Sequence, residues 1–393
     1  MILPLLVGLH AAIGTPASAG APAAGGSLSR PASSRPSSDA PAPAPDSWPM
    51  YRGGPTMAGV ARAELPDQLA LKWTSKTDGP IASSAVIERG RVFIGSGDGR
   101  LYCLSLGDGG LIWSFKAEGA IDAPPVLADG MVYVGSADTR LYALVADTGA
   151  LKWKYATEDK ILGAANVVAS DGRTLVLVGS YDNRLHCVDA ADGRPVWTYQ
   201  TDNYVNGAPA VSEGRAVFGG CDGVLHVVSV RDGGRLGGVE VGSYIAGTAA
   251  LIGSRAFVGH YDGRFVCVDL AAGKVSWEYG QGSFPFFSSA AVDDRHVVFG
   301  GRDKRLHCVT RAEGKGLWTF QARGKIDSSP VICGSKVVVG SDDGRLYVVG
   351  LADGKERWSY EIGEAVTSSP AVAAGMVVVG GEDGRVYAFE ARP

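Results

Sequence analysis

Tryptophan recurs in this chain at Trp73, Trp113, Trp153, Trp197, Trp277, Trp318 and Trp358, with Gly237 filling the one gap, so successive positions lie 40, 40, 44, 40, 40, 41 and 40 residues apart. A second marker keeps step with it. Asp98, Asp138, Asp182, Asp222, Asp262, Asp303, Asp343 and Asp383 each stand just before a short apolar run such as "RLYCL" or "RLYVV". Asp-Gly between two apolar runs, present in five of the eight copies, is a strong hairpin signal and suggests a two-residue loop with positive φ at its centre. A period of this length sustained over eight copies leaves few folds open, because each unit must bury its faces against its neighbours.

Within one period four short strands can be read, as in "SSPVI", "KVVVGS", "RLYVVG" and "KERWSYE", enough for one antiparallel sheet. Four strands per repeat of about 40 residues predict an all-β, eight-bladed β-propeller. The segment after each tryptophan strand is rich in small residues, "IASSAV", "IDAPPV", "VNGAPAV" and "VTSSPAV", which suits an innermost strand where blades crowd. The termini supply closure. "ALKWTSK" at 70–76 lacks preceding partners and "VYAFEA" at 386–391 lacks a following one, so the two are expected to pair and complete one blade, hiding the open sheet edges.

Composition agrees with a turn-rich globular chain: 56 glycines, 46% hydrophobic and 20% charged residues. A formal net charge of -4 gives little electrostatic case for nucleic acid. Residues 1–19 carry an apolar run ending in Ala17-Ser18-Ala19, a signal-peptide pattern with cleavage expected after Ala19. No cysteine follows that site to carry a lipid anchor. Residues 20–47 are mostly Pro, Ala, Ser and Gly and are expected to form a disordered linker. The propeller is assigned to 48–393. No later run reaches the roughly 18 apolar residues of a spanning helix, so an exported, periplasmic or secreted monomer is expected.

The turns before the tryptophans read "ADTGALKW", "ADGRPVW", "AAGKVSW", "AEGKGLW" and "ADGKERW". They resemble the tryptophan-docking motif AxDxxTGxxxW of quinoprotein (pyrroloquinoline quinone, PQQ) dehydrogenases. The resemblance runs from 70 to 391 and implies that each indole packs on the glycine turn of a neighbouring blade. The docking set is Trp73, Trp113, Trp153, Trp197, Trp277, Trp318 and Trp358 with Gly109, Gly149, Gly193, Gly273, Gly314 and Gly354. "SWPMYRGGPTMAGVA" at 47–61 resembles the WxxxRG segment that opens secreted PQQ-like propellers. Two groups carry these features: PQQ- and calcium-dependent oxidoreductases, and a BamB-like group that binds protein. Cys103, Cys187, Cys221, Cys267, Cys308 and Cys333 include no adjacent pair, and no glutamate, asparagine and aspartate trio matches the calcium site, so the resemblance favours the BamB-like group.

Other residues read as structure. Cys103, Cys187, Cys267 and Cys308 share one repeat position with Ala143, Val227, Val348 and Ala388, which marks them as buried small hydrophobes too far apart to pair. His186, His226 and His307 share a position with Tyr102, Tyr142, Tyr347 and Tyr387 and do not converge as metal ligands. No catalytic, metal or cofactor residue is assigned. The repeat breaks most where outer strands connect to the next inner strand, and in the adjacent hairpins. There Tyr181, Tyr204, Asn206, Tyr244, His260, Tyr261, Phe284, Phe287, Arg302, Lys325 and Asp327 form a candidate binding face for a protein or peptide segment, with aromatic and arginine anchors in a polar surround. The expected function is non-catalytic binding or scaffolding. The alternative is a degenerate quinoprotein oxidoreductase with Asp122, Asp327 or Asn206 holding calcium.

Overall fold

The computed structural model describes residues 46–280 and 282–392. The expected signal peptide, and the expected linker except for Asp46 and Ser47, lie outside them. Eight sheets follow one another in chain order, each built as the repeat suggests. One blade runs Val126–Ala128, Met131–Gly135, Arg140–Val145 and Leu151–Ala156, from the innermost strand outward, with antiparallel pairing throughout. The two middle strands of each blade are nearly continuous in apolar residues because neighbouring blades cover both of their faces. Outer strands alternate between exposed and half-buried positions. Among the described residues no helix is long and apolar enough to cross a membrane.

In every blade the register between the third and outer strands slips just before the tryptophan position. Cys103 pairs with Trp113 while Leu104 pairs with Leu111, leaving Ile112 bulged. A bulge of this kind re-aims the next side chain, here toward the adjoining blade.

The Asp-Gly hairpins are longer than a two-residue loop. Ser96 N–H bonds to Arg100 C=O and Gly99 N–H to Ser96 C=O, so three residues form the loop and only the last, Gly99 at φ 81°, is left-handed. The first aspartate oxygen accepts Arg100 N–H at 2.8 Å, and the second accepts both Tyr102 O–H at 2.6 Å and Asp78 N–H at 3.0 Å. The repeated aspartate therefore clamps its own hairpin to the connection entering the same blade. His186, His226 and His307 substitute for the tyrosine, with Nε2 on Asp182, Asp222 and Asp303 and Nδ1 on the hydroxyls of Tyr155, Tyr199 and Tyr279.

Closure occurs between Leu69–Lys76 and Arg385–Ala391, with Trp73 opposite Ala388 and Lys76 opposite Arg385. A second closure was not foreseen. Residues 48–61 cross the axis as a strap whose backbone serves the innermost strands. Trp48 exchanges two hydrogen bonds with Ile87, and the carbonyls of Pro49, Pro55, Thr56, Ala58 and Gly59 accept the N–H groups of Leu127, Val211, Leu251, Val292 and Ile332. Asn166 Nδ2 also donates to Pro55 C=O, and Val60–Ala61 runs parallel to Val331–Cys333. Seven of the eight blades are thereby joined to one segment. At its centre Arg52, 2% exposed, donates to the carbonyls of Ala290, Ser329 and Pro330.

Candidate functional site

One face of the ring is built from the connections between blades and the second-to-third hairpins. Eight equivalent bonds hold these two loop sets together, from Gly97 N–H to Pro80 C=O in the first blade through Glu382 N–H to Ala365 C=O in the last. At the axis they surround a funnel of about 190 Å³. Hydroxyls of the innermost strands ring its inner end: Ala208, Thr248, Ser289, Ser329 and Ser369 donate backbone N–H to the hydroxyls of Thr248, Ser289, Ser329, Ser369 and Ser84 on the next blade, at 2.8–3.0 Å. Tyr51 of the strap closes that end, its hydroxyl bonding to Ser329 Oγ at 2.9 Å and Ser289 Oγ at 3.3 Å.

Around the funnel the loops differ sharply by sector. Blades entered at Ala365, Pro80 and Ala120 present small side chains and two acids, Asp122 and Glu382, but no aromatic ring. The blades from 160 to 342 present rings and charges in contact with one another. Tyr181 stacks on Tyr204 with centroids 4.7 Å apart and planes at 12°, and Lys160 Nζ lies 4.7 Å over the Tyr181 ring. Further round, Tyr244 and Tyr261 lie 6.2 Å apart, Tyr261 and Phe287 5.9 Å apart, and the Arg302 guanidinium sits 4.1 Å over Phe287. Arg302 then forks onto Asp327 with two bonds of 3.0 and 2.8 Å, and Lys325 bridges Asp327 and Asp342, both at 3.2 Å. Burial alone lowers the Lys325 ammonium, but the two carboxylates outweigh it and raise it above its ordinary value. Tyr204, Tyr244, Tyr261 and Phe284 stay 43%, 54%, 53% and 53% exposed. Cation–π and ring contacts of this kind are worth about 0.5–1.5 kcal/mol each, enough to hold the rings in place without hiding them.

Two sequence expectations need correction. His260 is 2% exposed and is not part of the face. It occupies the position of Ser96, Ser136 and Ser180, and its Nδ1 accepts Asp262 N–H at 3.3 Å as those hydroxyls accept the N–H two residues on. Burial lowers its pKa. Gly273 holds no indole, because the blade before it carries Gly237 where tryptophan would stand, and a Cβ at either glycine meets nothing within 4 Å. Gly233, absent from the expected docking set, does meet Trp197: an added Cβ would fall 2.7 Å from the ring. Asn206 lies on the funnel wall, where its Nδ2 donates to Cys221 Sγ at 2.9 Å. Lys160 and Asp342, which complete the chain of contacts, were not distinguished in sequence because each is an ordinary charged loop residue there.

Asp122, Asn206 and Asp327 all line the funnel, yet they do not fit a calcium site. Asp327 spends both oxygens on Arg302 and Lys325, which leaves only Asp122 and the unpartnered Asn206 Oδ1 to face a cation. Among the described residues no three His, Cys, Asp or Glu side chains converge on one point.

Comparison with known proteins agrees with this architecture. No curated protein matches the chain by sequence. Among solved structures, BamB from Moraxella catarrhalis superposes with a TM-score of 0.70 at 21% identity, over 82% of this chain and 98% of that one. The computationally designed Ika8 protein gives 0.72 at 19% identity over 81% and 99%. The quinohemoprotein alcohol dehydrogenase from Comamonas testosteroni gives 0.75 at 14% identity over 88% and 81%. Those likenesses speak for the fold. The family model described as outer membrane protein assembly factor BamB matches residues 59–170, 161–295, 221–329 and 302–392, and the chain therefore belongs to that family of PQQ-like repeat propellers.

Proposed function

We propose that this protein is an exported, non-catalytic scaffold that holds a protein or peptide segment on the face between the connection at Lys160 and the hairpin at Asp342. The observation that carries this reading is the pair of contact chains, Lys160 with Tyr181 and Tyr204, and Tyr244 through Tyr261, Phe287 and Arg302 to Asp327, which fix exposed rings on one sector only. Rings held by their neighbours lose little entropy on binding, which is what an anchor requires. The occupied oxygens of Asp327 support scaffolding over quinone chemistry, and family membership supports it in the same direction.

A photo-crosslinking residue at Tyr244, with a control at Ala365 on the opposite sector, tests this in the exported compartment. Adducts are expected from Tyr244 alone, and Tyr204→Ala, Tyr244→Ala and Phe287→Ala combined should abolish capture with an unchanged Tm. Equal adducts from both positions, or capture that survives the triple variant, would dismiss the face. Saturable binding of PQQ with calcium, followed by dye-coupled alcohol oxidation, would replace scaffolding with the oxidoreductase reading.

A further inference from the structure

Six junctions between blades share one lock. Trp73, Trp113, Trp153, Trp197, Trp277 and Trp318 lie on Gly109, Gly149, Gly193, Gly233, Gly314 and Gly354, where an added Cβ would fall 2.4–2.7 Å from a ring atom. Each indole also donates Nε1–H to the carbonyl three residues before that glycine, at Leu106, Ala146, Ala190, Val230, Arg311 and Leu351, over 2.8–3.1 Å. At the junction of the blades ending in Arg235–Glu240 and Lys274–Tyr279 the receiving half of the lock is intact and the indole is missing. Gly273 keeps the left-handed backbone, at φ 63°, and is exposed, whereas the six occupied glycines are buried or half-buried. Leu270 is the counterpart of the accepting residues, and among the described residues no indole donates to its carbonyl.

The strand beside this slot is bare. Gly237 and Gly238 leave the outer edge Arg235–Glu240 without side chains at its middle, and Leu236 is 57% exposed. An outermost strand offers unpaired backbone groups, and glycine lets another backbone approach closely. Lys274 follows Gly273 at the slot and makes no ion pair among the described residues, whereas Arg235 turns to the opposite face of its strand, over Gly238. We propose that this slot receives a tryptophan from an extended segment of a partner polypeptide. The segment adds to the free edge Arg235–Glu240, turns its indole over Gly237 onto Gly273, and carries an acidic residue that meets Lys274. The indole is specified by the six filled copies of the slot, and the acidic flank by the unpaired Lys274. The surface is separate from the ring–cation face, since the turns containing these glycines open at the opposite end of the blades.

The probe is a fluorescently labelled peptide with the chain's own strand Glu356–Glu361, ERWSYE, which sets tryptophan between acidic ends. Anisotropy titration against the full chain is expected to saturate, and alanine in place of the peptide tryptophan should weaken it by at least about tenfold. Gly237→Trp, which fills the slot from within, should abolish binding without lowering the Tm. Should that variant fail to fold, Lys274→Glu, on the surface, is expected to weaken binding by roughly threefold. Failure to saturate, equal binding of the alanine peptide, or binding indifferent to both variants would overturn the proposal. So would a wild-type dimer in sedimentation that Gly237→Trp makes monomeric, because the occupant would then be a second copy of this chain.

Discussion

Arg52→Met removes the centre of the strap and keeps most of its apolar stem. The guanidinium donates to three buried carbonyls on two blades, Ala290 with Ser329 and Pro330. Hydrogen bonds from a charged group contribute about 1.5–3 kcal/mol each, so three amount to about 5–9 kcal/mol. Against this stands burial, which pushes the Arg52 guanidinium down to about 10, with Tyr51 opposing the fall. That displacement corresponds to a cost of about 3 kcal/mol for keeping the charge inside. The difference, about 2–6 kcal/mol, is the expected destabilisation, and it includes the stranding of three acceptors that methionine cannot satisfy. For roughly 350 ordered residues the unfolding entropy near the midpoint is about 0.7 kcal/mol per kelvin, so the Tm should fall by about 3–8 °C. Differential scanning calorimetry measures this. Trypsin cleavage after the exposed Arg62 should quicken in parallel, since the strap is tied down on both sides of Arg52 by the same blades. A Tm within 1 °C of the parent together with unchanged cleavage would refute the view that the strap is a structural closure.

Three further outcomes are expected. Gly193→Ala drives a Cβ to 2.6 Å from the Trp153 ring at a φ of 75° and should cost about 2–4 kcal/mol in denaturant unfolding, while Gly273→Ala, with open space, should cost about 1 kcal/mol from the backbone alone; equal losses would remove the docking argument. Burial alone raises the carboxyls of Asp182, Asp222 and Asp303, but hydrogen bonds and charge from His186, His226 and His307 outweigh it and hold all three below the usual value. A depressed folded pKa stabilises above the unfolded value of about 3.9 and loses that stability as pH falls through the folded value, so the parent should weaken below about pH 4 more steeply than an Asp182→Asn, Asp222→Asn, Asp303→Asn variant. Burial pushes the thiols of Cys103, Cys187, Cys308 and Cys333 up to about 12 and that of Cys267 to about 11, whereas Cys221 is half-exposed, so a thiol reagent should label Cys221 alone in the native protein and six cysteines after unfolding.

The ring was legible because its locks are side chains repeated at a fixed interval: a tryptophan, a turn glycine and a hairpin aspartate each appear in nearly every copy. The strap was not, because it acts through its own carbonyls, and a peptide carbonyl leaves no trace in the residue type that carries it. Only "YRGG" hinted at it, and nothing local tells that Arg52 reaches Ser329 and Pro330. The face was partly legible. Tyr204, Tyr244, Tyr261 and Phe287 stand out where the repeat drifts, while Lys160 and Asp342 gain meaning only once Tyr181 and Lys325 are beside them. His260 misled because exposure was inferred from its hairpin position, and the fold uses it as an oversized serine. Gly273 misled for a related reason: docking needs both partners, and the gap at Gly237 empties the slot it faces.

Ring closure carries the whole account, and zero-length carbodiimide crosslinking with peptide mass mapping reads it directly. Lys72 pairs with Glu390 across the closing strands, and Lys336 reaches Asp67 at 3.0 Å from the blade before. Both crosslinks are expected within one chain in dilute solution, alongside Lys325 with Asp342 as an internal standard. Formation of the standard without either closing crosslink would mean that the first and last strands do not meet, and the eight-bladed ring would not stand.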